Sequence, residues 1–472
     1  MGRRPRLAVV WAAAVVGIGF VAAEAIVLSA PLRDYDEGVY WQSFRALARG
    51  EPLFSSIFAP TPPGFYYALL PFYWLAHSLT GLRIGVLVFG VIGLAATYVA
   101  GRLLAGEVAG LVAMALAATS PLYLQQSAIL QADGPAVAMS VVAVSLALLA
   151  VRRDGRMRDA LAAAAGLALA VSVGIKLLGA LTAVPTVILL LRAQRGRSRL
   201  LLFTVIGGLL GSVGLLLPAL GSPSSAFDDL VLSHLRAGQA AAGGPSTNLR
   251  LLLLNRELPL EALAVVGAFI AVLRRSRAVI PLLAWAGVSL AAVILYKPLF
   301  PHHLVMLTPP LALLAAVRIA PGPHPALPQK GREMGEWGRL LLAGLVMVAG
   351  IYIGVKDIRL ALVPDPHGAE TAAIAAASRP GEFWISDDPY AIAAADRDVP
   401  GPLVDTSYQR TGAGLLTVAT LEAARERYRV RWVLIDSSRL DAVPGFRDWL
   451  NAHFQAVQKL VGGATIYRAT EF

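Results

Sequence analysis

The chain has no cysteine in 472 residues, which removes disulfides and thiolate metal sites from consideration. It is also poor in charge: Asp, Glu, Lys and Arg make up 15% of it, against about 25% in soluble globular proteins. With 57% hydrophobic residues and a mean hydropathy of +0.64, a soluble domain is excluded and a polytopic membrane protein is implied. Lysine is scarce, with five residues against 36 arginines. The net charge of +11 does not indicate nucleic acid, because the arginines sit in short clusters between apolar runs. That placement is what membrane topology requires, so no nucleic-acid partner is expected. No internal repeat is visible.

What is present is a series of apolar runs near the ~20 residues needed to cross a bilayer. Eleven spans are predicted, at about 8–29, 82–101, 107–122, 134–151, 159–175, 177–192, 200–219, 258–273, 278–296, 303–318 and 339–356. The first is too long for a signal-peptide core of roughly 7–15 residues, so it reads as a retained span. Arg3, Arg4 and Arg6 hold its start in the cytoplasm. The basic connections "RRDGRMRD", "RAQRGRSR", "RRSR" and "QKGREMGEWGR" then all fall inside, as the positive-inside rule demands. An odd span count puts the C-terminus outside. The Ala/Leu/Gly/Arg-rich composition points to the inner or plasma membrane of a bacterium of high genomic G+C.

Two segments outside the spans stand out. The first outer loop, 31–81, carries "TPPGFYYALLPFYWLAHSL", whose aromatic density suits a helix lying in the headgroup layer. Residues 357–472 change character, alternating strand-like runs ("EFWISDD", "PLVDTS", "RWVLIDS", "ATIYRA") with helical ones ("TVATLEAARERYRV", "PGFRDWLNAHF"). This predicts an extracytoplasmic α/β domain following a transmembrane domain over 1–356. "PGPHPALPQKG" reads as a cytoplasmic linker.

The candidate chemistry gathers at the outer ends of the spans. "RDYDEGVYW" places Asp34, Asp36 and Glu37 just after the first span. A helix cap with Asp36 near the N-cap explains acids there equally well. Asp133 in "LQADGPAVAM" starts the fourth span, where an N-cap is again the plain alternative. Lys176 and Lys297 lie at outer span ends, either as snorkelling anchors or as cations for a membrane-held phosphate. His302 and His303 are interfacial histidines or, with an acid from another loop, metal ligands. Carboxylates and cations on one face suit a sugar presented on a lipid phosphate: a carboxylate deprotonates an acceptor hydroxyl, and cations stabilise the leaving phosphate.

These segments resemble the membrane glycosyltransferases of the GT-C class, in the dolichyl/polyprenyl-phosphate branch that holds protein O-mannosyltransferases and the lipid A aminoarabinose transferase. "DEGVYWQSFRALARGEP" is similar to the family's Asp-Glu motif, "TPPGFYYALL" to its Pro-Pro-x-x-Tyr segment, and "QADGPAVAM" to its second-loop acid. "VGIKLLGALTAVP" and "HHLVMLTPPLALLAA" look like its Lys-Gly and late His segments. Thr61 stands where the aminoarabinose branch has lysine. The resemblance implies a GT-C-like fold of about eleven transmembrane helices plus the small outer domain. It implies inverting transfer from a polyprenyl-phosphate sugar to a hydroxyl of a glycan, lipid or protein. Asp36 would be the catalytic base, with Glu37 and Asp133 beside it. Tyr40, Tyr66, Lys176, Lys297, His302 and His303 are the candidate substrate-binding residues. A divalent ion on Glu37 and His302 is a candidate cofactor. A lipid-linked sugar flippase, or a non-catalytic membrane scaffold, is the alternative.

Overall fold

A computed structural model describes residues 3–273, 276–319 and 329–471. The predicted linker falls largely on 320–328, outside the described residues. Among the described residues, six helices are long and apolar enough to cross a membrane: Ala8–Val27, Leu79–Ala105, Asp133–Ala150, Gly155–Ile175, Arg197–Gly221 and Leu341–Arg359. A seventh crossing is formed if Glu107–Ala118 and Pro121–Ala128, bent by 67°, count as one. The bend has a local cause. Ser120 caps the second helix, and Pro121 cannot donate to the turn before it. The other four predicted spans correspond to apolar helices shorter than a full crossing: Leu177–Leu191, Leu258–Leu273, Ile280–Leu295 and Pro301–Val317. Tighter 3-10 helices open two of these, at Leu177–Thr182 and Pro301–Leu307, and shorten their regular α-helical part.

The helix Gly155–Ile175 packs on Arg197–Leu216 through paired small residues. A Cβ added to Gly166 would overlap the Thr204 carbonyl, and one on Gly207 would overlap that of Ala163. This is the close backbone approach that membrane helices use in place of a hydrophobic driving force.

The outer loop forms two helices, Tyr35–Ala48 and Pro63–Ala76. The second contains the aromatic run, and a left-handed His77 ends it. Beyond residue 357 the chain builds a four-stranded sheet from β1 (Trp384–Ser386), β2 (Trp432–Ile435), β3 (Phe454–Lys459) and β4 (Thr465–Ala469), in the order β1-β2-β4-β3. β1 and β2 run parallel, and the other two pairings are antiparallel. Trp384, Val433, Leu434, Leu450 and Ile466 lie in its core. Two sequence expectations fail here. "PLVDTS" is not a strand: Pro400 and Pro402 deny ladder donors, and the segment turns at Gly401–Leu403. β3 was not foreseen, because "FQAVQK" is an exposed, bulged edge strand with little apolar signal.

The sheet region docks on the helix Tyr35–Ala48. The Gln42 amide donates to the carbonyls of Pro389 and Arg397 and accepts from the Val399 amide. Arg45 and Arg49 both pair with Asp398, at 2.7 and 2.6 Å. Gly38 permits the approach, since any Cβ there would lie 2.6 Å from the Tyr390 nitrogen. The other face of the same helix is tied to the membrane helices by Glu37. Its carboxylate accepts from Arg83 Nε and Nη2 at 2.8 and 2.6 Å, from the Leu130 amide at 2.9 Å and from the Arg33 amide at 3.0 Å. Arg83 in turn donates to the carbonyls of Leu28, Ala30 and Pro31. Both side chains are almost fully buried, at 0% and 1% exposure.

Breaking a buried pair from one side leaves an uncompensated charge, at a cost of about 3–5 kcal/mol. Glu37→Leu and Arg83→Met are therefore each expected to destabilise the purified protein by that order, and the double variant by less than their sum. Thermal unfolding in detergent measures it. Single variants within about 1 kcal/mol of the parent would contradict the assignment.

Candidate active site

Asp34, two residues before the predicted position, is the N-cap of Tyr35–Ala48: its Oδ1 accepts from the Asp36 amide at 3.0 Å. Asp36 is thereby released from capping and lines a cavity of about 600 Å³. The cavity lies between the helix Tyr35–Ala48, the ends of the apolar helices and the sheet region. Lys176, His302 and His303 share its lining, as do Tyr40 and Thr61.

Asp133 is placed by the turn before its helix and pairs with Lys176, which lines this cavity. Its Oδ2 is 2.5 Å from Lys176 Nζ and 3.9 Å from His302 Nε2. Gln131 connects Asp36 to His302. Its Nε2 lies 3.5 Å from Asp36 Oδ2 and 3.5 Å from His302 Nδ1. A narrow slot runs on from Asp133 and Lys176 between helices, past Ser140, Thr182 and Trp285.

The electrostatics separate the acids. Burial, followed by the Asp34 and Asp405 carboxylates, pushes the Asp36 carboxyl up to about 8, against a downward pull from Lys176. Burial alone would also raise Glu37, but the Arg83 charge and the four hydrogen bonds outweigh it and hold Glu37 below the usual range. Two neighbouring carboxyls in "DEG" are thus tuned in opposite directions, one toward proton transfer and one toward permanent charge.

The remaining sequence expectations divide. Tyr40 lines the cavity, with its hydroxyl 2.9 Å from that of Thr61. Tyr66 is buried in an aromatic cluster with Tyr40, Phe44 and Phe65, beneath the cavity wall. Lys297 is exposed beside Gly238 and Gly244, apart from the lining. Glu37 is not placed to hold a metal, because both of its oxygens are taken by Arg83 and backbone amides. His302 instead stands with Asp133 and His303, whose ligand atoms lie within 4.8 Å of one another. One carboxylate and two imidazoles suit a zinc-like ion. Lys176 already balances the same carboxylate.

Gln131, Asp405, Arg410 and Arg439 are site residues the sequence reading missed. Gln131 lies inside the "QADGP" segment and had a signal. The other three belong to the sheet region and reach the cavity only through its docking on the helix Tyr35–Ala48. Arg83 had a signal too, as a lone arginine within a predicted span.

Residues 60–221 match the family model described as dolichyl-phosphate-mannose-protein mannosyltransferase. No curated protein matches the chain. Among solved structures it is similar to ArnT from Cupriavidus metallidurans bound to undecaprenyl phosphate, with a TM-score of 0.70 and 16% identity over 95% of this chain and 97% of that one. It is also similar to the oligosaccharyltransferase AglB from Archaeoglobus fulgidus in complex with an inhibitory peptide and a dolichol-phosphate. There the TM-score is 0.57 and the identity 14%, over 100% of this chain and 75% of that one. A further structure of the Archaeoglobus enzyme is a complex with Zn and sulfate. The family model covers residues 60–221, and the whole-chain match shows that the fold is that of ArnT. The resemblance drawn from the short motifs is borne out.

If Asp36 is the base, only its ionised form works, so sugar transfer is expected to rise with pH to a plateau above about 8. Asp34→Asn keeps the capping oxygen but removes a like charge, and should move this limb to lower pH in a pH–rate profile. A limb that stays in place would contradict the assignment.

Proposed function

We propose that the protein is an inverting glycosyltransferase that moves a sugar from a polyprenyl-phosphate donor to an acceptor hydroxyl on the extracytoplasmic face. The observation that carries this reading is the single cavity that Asp36 and Lys176 both line. Asp36 takes the proton from the acceptor hydroxyl. The oxygen attacks the anomeric carbon, the bond from that carbon to the phosphate oxygen breaks, and polyprenyl phosphate leaves with the electron pair. Lys176, held by Asp133, faces the leaving phosphate, with His302 beside it. Gln131 keeps Asp36 and His302 in register. Glu37 positions Asp36 through the helix they share and does not meet substrate. Asp133, His302 and His303 would hold a divalent ion, which would add positive charge beside the same phosphate. Tyr40 lines the acceptor side, and Tyr66 supports it from behind. Lys297 anchors the rim.

The same reading takes 1–356 as the catalytic membrane domain, with outer loop 31–81, and 357–472 as an outer domain. The seven crossings and four shorter apolar helices then amount to eleven spans in a bacterial inner membrane, with a cytoplasmic N-terminus and the sheet outside. That polarity puts the cavity where lipid-linked sugars are presented. Such a donor, with a glycan, lipid or protein acceptor, is supported by the family match and by the polyprenyl-phosphate ligands of the similar structures.

The test is turnover of synthetic undecaprenyl-phosphate sugars by the purified chain, with mass spectrometry of native co-purifying lipid choosing the sugar. Asp36→Asn is expected to lower transfer by about 10²–10⁴-fold, the usual range for a lost general base. Asp36→Asn turnover equal to the parent's would end the assignment.

A further inference from the structure

One wall of the cavity comes from the proposed outer domain, and it carries two arginines that the transfer step does not use. Arg410 is 5% exposed and lines the cavity. Its guanidinium lies 3.7 Å from the centre of the Phe58 ring, its Nη1 donates to the Asp405 carbonyl, and its Nε has no hydrogen-bond partner. Arg439 lines the same wall, 4.2 Å from the Tyr35 ring centre and 5.3 Å from that of Tyr408. Its Nη1 donates to the Asp387 carbonyl.

Neither arginine forms an ion pair within 4.0 Å among the described residues, although carboxylates are near. Asp405 caps the Ser407 amide, and Asp229 accepts from the Ala59 amide. At the same docking face, Arg45 and Arg49 both pair with Asp398. A buried guanidinium without a carboxylate is costly unless something supplies the counter-charge. Stacking on an aromatic face leaves the N–H fork free in its own plane, which is the geometry that grips a carboxylate or phosphate. Ser407, Gln409 and the half-exposed Tyr408 ring beside it offer hydroxyl, amide and aromatic contacts suited to a polyol.

We propose that Arg410, supported by Arg439, forms an oxyanion subsite for an acidic saccharide acceptor, one bearing a carboxylate or a phosphate monoester. This rests on the transferase reading, since it names the acceptor of that reaction. The donor phosphate belongs to the Lys176 end, and the acceptor anion to the outer-domain end. The carbohydrate between them then presents its hydroxyl to Asp36.

The test is binding to the purified full chain of methyl glucuronide, glucose 6-phosphate, methyl glucoside and undecaprenyl phosphate. At least one of the two acidic sugars is expected to bind tenfold or more tightly than the neutral glucoside, and which one does so separates carboxylate from phosphate. Arg410→Gln should abolish that preference while leaving undecaprenyl phosphate affinity within twofold. Arg410→Lys, which keeps the charge without the fork, should restore it only in part. Equal binding of the neutral sugar by the parent chain overturns the proposal without recourse to any variant. So does an Arg410→Gln chain that loses undecaprenyl phosphate instead. A parent chain that prefers the acidic sugar but binds no undecaprenyl phosphate would contradict the transferase reading and leave the oxyanion subsite standing.

Discussion

The buried Glu37–Arg83 pair is the constraint on which the site depends. In one knot it gathers the end of the first membrane helix through Leu28, Ala30 and Pro31, and the outer helix through Glu37. It also holds the approach to Asp133 through Leu130. A buried ion pair is weak evidence for net stability, because desolvation offsets much of the attraction. What it supplies is register. With Glu37 locked, the adjacent Asp36 has a fixed direction, and the segment carrying Gln131 and Asp133 is fixed relative to it.

The outer helix then has two faces with separate tasks. One is bound to the membrane helices through Glu37. The other receives the sheet region through Gln42, Arg45 and Arg49, with Gly38 allowing contact at backbone distance. Asp36 emerges between these faces into the cavity. Its surroundings decide its chemistry: burial first, then Asp34 and Asp405, make ionisation harder, and Lys176 makes it easier. The cavity is lined by Lys176 from the apolar helices, by Arg410 and Arg439 from the sheet region, and by Asp36. That is a suitable layout for bringing two anionic substrates together around one proton acceptor.

Much of this was legible before any coordinates. Low charge and apolar runs located the apolar helices, six of which, or seven with the bent pair, are long enough to cross among the described residues. The Asp36, Asp133, Lys176 and His302 positions were visible as polar residues at apolar run ends. Their convergence was not, since it depends on pairings such as Lys176 with Asp133 across 43 positions of sequence. Glu37 and Asp36 looked alike in sequence and were separated only by the partner, Arg83, that one of them has. Strand β3 and the turn at Gly401–Leu403 escaped because edge strands and proline-flanked segments carry weak or misleading periodicity. Arg410 and Arg439 had no local signal, as a single arginine in a soluble-type domain is ordinarily solvated.

The most direct measurement of the account is an experimental structure of the purified chain with undecaprenyl phosphate bound. The account places the lipid phosphate within hydrogen-bonding reach of Lys176 and His302, with its tail leaving sideways between membrane helices and Asp36 facing the phosphate's open side. A phosphate bound at Arg410 instead, or a lipid held on a surface from which Asp36 is screened, would contradict it.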